Sequence, residues 1–160
     1  MLIGVLADTH DRLPAIDRAM QWFAERRVEA VIHAGDLVAP FAARRLLGLD
    51  APLHAVFGNN DGELRGLKAV LPQIQAGPLK LELDGRAILV HHFIEWCAPA
   101  DLEQSEVVIT GHTHQAVNRR DGARLLLNPG ECCGWVNHRC TVALLDTSGP
   151  DAEICELSVP

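Results

Sequence analysis

The stretch LIGVLADTH, residues 2–10, is an apolar run that breaks off onto an aspartate and a histidine, Asp8 and His10. Short apolar runs bounded by turn residues read as buried strands. The same construction recurs down the chain. AVIHAG (30–35) runs into Asp36, HAVFG (54–58) into Asn59, AILV (87–90) into His91, and VVITG (107–111) into His112 and His114. In open α/β sheets, ligands gather beyond the carboxyl ends of the strands. Seven side chains able to hold a hard or borderline cation are therefore expected at one edge, and they point to a site for two metal ions.

Working outward, Leu13, Ile16, Met20, Phe23 and Ala24 recur at helical spacing, with Pro14 where an early proline is tolerated. The spacing predicts a helix over 13–26, a strand over 28–33, a helix over 40–47 and a strand over 53–57. A short helix follows near 62–70, stopped by Pro72. This alternation is that of a parallel sheet. The second half changes character. LKLEL, Asp84-Gly85 and RAILV form a hairpin pattern, because Asp-Gly favours a tight turn. A short helix near 99–104 precedes strands near 107–110, 115–119, 123–127, 140–145 and 153–157, with a second turn at Asp121-Gly122. Two packed sheets with helices outside satisfy both halves. Residues 1–160 are expected to form one domain.

Composition narrows the function classes. Apolar residues make up 48% of the chain and charged residues 22%, which excludes a disordered reading. The net charge of −7 argues against an extended nucleic-acid-binding surface, though a single phosphoester remains compatible if cations supply local positive charge. No apolar run reaches the roughly 20 residues of a membrane helix. With no basic leader before the first strand, a cytoplasmic location is expected. Cys97, Cys132, Cys133, Cys140 and Cys155 form no CxxC pair and are expected as free thiols. A zinc site from Cys132, Cys133, His138 and Cys140 matches no standard spacing.

Each candidate also has a bland reading. Asp8 could cap the first helix, Asp36 could serve a turn, and Asn59 with Asp61 could do likewise. In an extended backbone, residues i and i+2 point the same way, so Asp8 with His10, and His112 with His114, could each reach one ion. Asp36 could bridge two ions through its two oxygens. The joint occurrence of all of these, each at a strand end, is what the bland readings do not explain.

The ordered set D-T-H (8–10), G-D (35–36), G-N-N-D (58–61), His91 and G-H-T-H (111–114) resembles the calcineurin-like metallophosphoesterase superfamily, in particular its small single-domain phosphodiesterases. The resemblance extends to Asn128-Pro129-Gly130. It implies a four-layer α/β/β/α sandwich of two mixed sheets flanked by helices. It also implies that Asp8, His10, Asp36 and His114 take one ion, and Asp36, Asn59, His91 and His112 the other. Manganese comes first among the metals implied, with nickel, iron and zinc as alternatives. The activity implied is hydrolysis of a small phosphodiester, a hydroxide between the ions attacking phosphorus in line. A phosphomonoesterase on the same site, and a non-catalytic scaffold on the same fold as a retromer subunit, are the rival readings. A homo-oligomer is compatible with all three.

The chain departs from the family pattern at three places. Asn60 stands where many members carry a histidine, and an amide donates a hydrogen bond but is no general acid. His92 stands where H-G-H has its glycine, and could narrow the cleft, supply an acid, or be a loop residue. Glu131 follows N-P-G where a serine is common, and is expected to add negative charge near the cleft. Arg12 could meet a phosphate or lie on the surface. His33 could orient a ligand or simply be packed. Trp96 and Trp135 could mark a cleft wall or an interface, burial being the commoner fate of tryptophan.

Overall fold

A computed structural model describes residues 1–159. The first sheet contains β1 (Leu2–Leu6), β2 (Ala30–His33), β3 (Leu53–Ala55), β9 (Cys140–Asp146) and β10 (Asp151–Leu157), in the order β10-β9-β1-β2-β3. β1, β2 and β3 run parallel, with Val5 opposite Ile32 and Ile32 opposite His54, while β9 lies antiparallel to β1. The second sheet contains β4 (Leu79–Leu83), β5 (Arg86–Val90), β6 (Val107–Ile109), β7 (Ala116–Asp121) and β8 (Arg124–Pro129), in the order β4-β5-β6-β8-β7. β5, β6 and β8 are parallel to one another. The Asp84-Gly85 turn that joins β4 to β5 takes φ of 53° and 73°, the left-handed pair that Asp-Gly accommodates at little cost.

The sheets face each other across an apolar core. Ile3, Val5 and Ile32 of the first sheet meet Ile88, Val90, Val107, Ile109, Leu125 and Leu127 of the second. Alternate residues turn outward. Leu6 and Val31 pack beneath α1 (Leu13–Glu25), whose Ile16, Met20 and Phe23, read from the sequence, are buried together with Ala19, whereas Ala24 of that expected stripe is exposed. Phe23 lies so close to β1 that a Cβ on Gly4 would sit 2.8 Å from its ring. α2 (Pro40–Ala43), which continues into a 3-10 turn at Arg44–Gly48, and α3 (Leu64–Val70) complete that layer. On the far side, Leu89, Val108 and Leu126 pack with Cys97 and Leu102, the latter on α4 (Pro99–Glu103). The four-layer sandwich is as expected. No helix among the described residues is long and apolar enough to cross a membrane.

Two parallel strand sets, one per sheet, thus end at the same edge of the molecule. There the loops beyond β1, β2 and β3 meet those beyond β5, β6 and β8, through contacts such as His92 with Ala34, His112 with Asp8 and Asn59, and the Cys132 amide with the Ala7 carbonyl.

Candidate metal centre

The backbone at that edge is not extended. Asp8, His10, Asp36, His112 and His114 take φ of 51°, 39°, 61°, 67° and 60°. Left-handed conformations cost a non-glycine residue of order 1 kcal/mol and concentrate where side chains are held for function. The i, i+2 reading is therefore corrected in its cause. Tight left-handed turns, and not strand alternation, aim these side chains; Asp8 and His10 meet in one cluster, whereas His112 and His114 fall in different ones.

Asp8, His10, Asp36 and His114 come together. His10 Nε2 lies 3.4 Å from His114 Nε2, 3.5 Å from Asp36 Oδ2 and 3.9 Å from Asp8 Oδ1, and His114 Nε2 lies 3.5 Å from Asp8 Oδ1. A tetrahedral ion with bonds of about 2.1 Å holds its donor atoms about 3.4 Å apart. Asp8, His10 and Asp36 group as potential ligands of such an ion, and His114 lies at a fitting distance from both His10 and Asp8. Both carboxylates are buried, whereas the two rings are partly open to solvent.

The second cluster contains one residue other than expected. His92 Nε2 lies 3.4 Å from Asp36 Oδ2 and 3.1 Å from Asn59 Oδ1, and His112 Nδ1 lies 3.0 Å from the same Asn59 oxygen. His92 Nδ1 sits 2.8 Å from the Ala34 carbonyl, which keeps a proton there and makes Nε2 the nitrogen that faces Asp36, free to exchange its own proton for an ion. His91 turns away. Its Nδ1 accepts a hydrogen bond from the Phe93 amide, and its ring packs over Gly77. The cause is strand parity. The ladder between β5 and β6 continues past Val90, with the His91 amide donating to the Ile109 carbonyl and the Gly111 amide to the His92 carbonyl. Ile88 and Val90 face the core between the sheets, so the next residue on that face is His92. With His92 on the inward face, the H-G-H register read from the sequence shifts by one residue, and Phe93, not His92, stands at its glycine.

Asp36 lies between the clusters through one oxygen. Its Oδ2 faces both His10 and His92, while Oδ1 accepts a hydrogen bond from the Asn60 amide. Oδ2, and not the pair of oxygens considered from the sequence, is the atom that both clusters face. Burial alone would raise Asp36, but hydrogen bonds from His92 and Asn60 hold it well below the usual carboxylate range. Burial would lower His92, and the bond to Asp36 raises it instead. Both shifts mark a position that favours positive charge. Burial pushes Asp8 up to about 7 against the pull of His92 and His114, and a cation beside it would favour its ionised form.

The loops close in tightly. Gly35 takes φ of 100°, and a Cβ there would sit 2.6 Å from His92 Nδ1; a Cβ on Gly58 would run into the Asp36 carboxylate. The glycines of the G-D and G-N pairs are thus required by this approach. Asp61 accepts from the amides of Asp36, Val38 and Gly58 and pins the two loops together.

The calcineurin-like phosphoesterase superfamily domain matches residues 1–149. The chain belongs to this superfamily. Phosphodiesterase MJ0936 of Methanocaldococcus jannaschii is 38% identical over 157 residues, covering 92% of this chain and 93% of the relative. Phosphodiesterase YfcE of Escherichia coli is 29% identical over 146 residues, 81% and 78% of the two chains. A solved archaeal phosphodiesterase superposes with a TM-score of 0.87 at 34% identity, over 98% of this chain and all of that one. Vps29 of Cryptosporidium parvum, with a TM-score of 0.69 at 17% identity over 98% and 97% of the two chains, shares the fold alone. The phosphoesterase is accordingly a phosphoric ester hydrolase of a family that uses divalent metal ions.

Several supporting residues of the phosphoesterase were read differently from sequence. Glu131 carries its charge behind His114 and not on the open cleft. It is buried, and its carboxylate accepts hydrogen bonds from the Val136 and Asn137 amides, His114 Nδ1 and Cys133 Sγ. Burial would raise it, but those bonds lower it to about 2. It thereby holds His114 with Nε2 facing Asp8. Asn128 was noted only as part of N-P-G. Its amide donates to the Gly111 carbonyl and to Thr113 Oγ1, its oxygen accepts from Gly130, and it shapes the loop bearing both histidines.

Asn60 donates its side-chain amide to Asp36 Oδ2 at 2.7 Å, so it is engaged with the carboxylate shared by both clusters. Arg12 Nη1 donates to the Cys133 carbonyl and ties the first turn to the 131–138 loop. His33 is packed: it sits 3.1 Å from Thr9 Oγ1 and accepts from the Gly35 amide, and burial lowers it to about 3. The five cysteines are free thiols. Cys133 approaches a candidate cluster, but with His10 and His114, not with Cys132, His138 and Cys140. Trp96 and Trp135 are exposed, contrary to the default of burial.

Proposed function

We propose that residues 1–160 form one domain that hydrolyses a phosphodiester with two divalent ions. Asp8, His10, Asp36 and His114 would hold one ion; Asp36, Asn59, His92 and His112 the other. The observation that carries this is the single oxygen, Asp36 Oδ2, facing His10 at 3.5 Å and His92 at 3.4 Å. Two ions seated there would lower the pKa of bound water and neutralise phosphoryl charge during an in-line displacement. Manganese, nickel, iron and zinc all accept this mixed nitrogen and oxygen donor set.

The chain's own residues orient and hold. Asp61 and Asn128 fix the loops, Glu131 and the Ala34 carbonyl set the tautomers of His114 and His92, and Asn60 steadies Asp36. Two side chains considered as proton donors, Asn60 and His92, are both engaged with Asp36. A leaving oxygen that needs no proton, as in an aryl diester, is therefore favoured over a basic one.

The protein is expected to turn over bis-p-nitrophenyl phosphate with added manganese or nickel, to prefer it to p-nitrophenyl phosphate, and to lose turnover on chelation. Steady-state rates on both esters, with metal content by mass spectrometry, make the test. Turnover that persists after complete metal removal contradicts the proposal.

Glu131→Gln keeps the size of the side chain and removes the charge that orients His114. It is expected to weaken metal binding about 10- to 100-fold, the range for groups that orient a ligand. Titration with manganese measures this. An unchanged dissociation constant would mean that Glu131 only packs.

A further inference from the structure

A cavity of about 200 Å³ opens directly beside the second cluster, lined by Phe57, Gly58, Asn59, Gly77, Phe93 and Trp96 among others. Asn59 belongs both to this wall and to the proposed ligand set. Phe93 links the two more closely still. Its ring centroid lies 4.2 Å from that of His112 on one side and 4.3 Å from that of Trp96 on the other, nearly parallel to the Trp96 ring at 25°. Trp96 is 68% exposed, so the largest apolar side chain of the wall is held at the surface where folding gains little from it.

A phosphate group alone, or an ester with small polar arms, has no use for such a wall. A flat ring does, because it can lie against Trp96 and enter the cavity while its phosphate remains at Asn59. The left-handed turns and glycines of the metal centre do not require aromatic residues at 93 and 96, since neither ring supplies a donor atom to it.

We infer that the cavity is a specificity subsite for one ester arm of the substrate, and that this arm carries a flat aromatic group such as an aryl ring or a nucleobase. The inference rests on the phosphodiesterase reading above, and it names the substrate class within it. Trp96 is a binding residue in this scheme and touches neither the ions nor the reacting atoms.

The test uses manganese-loaded protein and two ligands whose C–P bonds the enzyme does not hydrolyse, phenylphosphonate and methylphosphonate. Calorimetry is expected to find phenylphosphonate bound about tenfold more tightly, in line with a single stacking contact. Trp96→Ala should bring the two within about twofold by weakening only the phenyl compound, and Trp96→Phe, which keeps a flat ring, should restore most of the difference. Equal affinity in the unmodified protein, or an undiminished difference in Trp96→Ala, overturns the subsite. Because this reads binding and not turnover, it is separate from the hydrolysis assay. An active diesterase with no aryl preference sinks the subsite alone, and a failure of metal-dependent hydrolysis sinks the reading on which it rests.

Discussion

Asp36→Asn is expected to abolish the paired metal centre and lower diester turnover by about 10³-fold or more, several kcal/mol of transition-state stabilisation being at stake. Asp36 Oδ2 is the one atom that faces both donor clusters. An amide in its place carries no charge, and whichever way it points, only an oxygen can serve as a ligand. The change should leave the fold intact, because the loop is held through its backbone, the Asp36 amide donating to Asp61 and the Asp36 carbonyl accepting from the Thr9 and His10 amides. Metal content should fall from two ions per chain to one or none, while the thermal unfolding of the metal-free protein stays close to that of the unmodified chain. Two retained ions with full activity would rule out the bridging assignment.

The second large effect separates two adjacent histidines. His92→Ala is expected to remove the second ion and to weaken its binding by more than about 10²-fold, since even groups that merely orient a ligand cost 10- to 100-fold. His91→Gln is expected to keep both ions, because that ring packs over Gly77 and takes its hydrogen bond from Phe93. Measuring metal content and affinity in both variants decides between them. The reverse result, with ions lost in His91→Gln and kept in His92→Ala, would restore the assignment that the motif alone suggests.

That pair of histidines shows where sequence reading stops. The run AILV is apolar at every position, because β5 is covered on one side by the first sheet and on the other by α4 and its neighbours. A strand buried on both faces carries no alternation, so nothing in the run says whether His91 or His92 continues the inward face. Glu131 is a similar case. A glutamate in a Gly- and Cys-rich loop reads as solvent-facing charge. Only folding brings His114 and the Val136 and Asn137 amides to its oxygens and makes burial tolerable. The exposure of Trp96 was hidden for the opposite reason. Burial is the norm for tryptophan, and what holds this ring at the surface is its stacking on Phe93 beside the metal centre.

The sequence by itself determined the sandwich of two sheets and the strand ends at which the candidate donors gather; six of the seven side chains named there lie in the two clusters. Hydrophobic run length, Asp-Gly turns and the residue types that follow each run are local properties, and the chain states them directly. Tertiary structure decided which of two neighbouring histidines joins the site, which oxygen of Asp36 lies between the clusters, and that an aromatic cavity adjoins them. Each of these depends on the register of strands from different parts of the chain and on the left-handed turns that end them. Such relations arise only when the two sheets pack and the loops beyond β1, β2, β3, β5 and β6 meet at one edge.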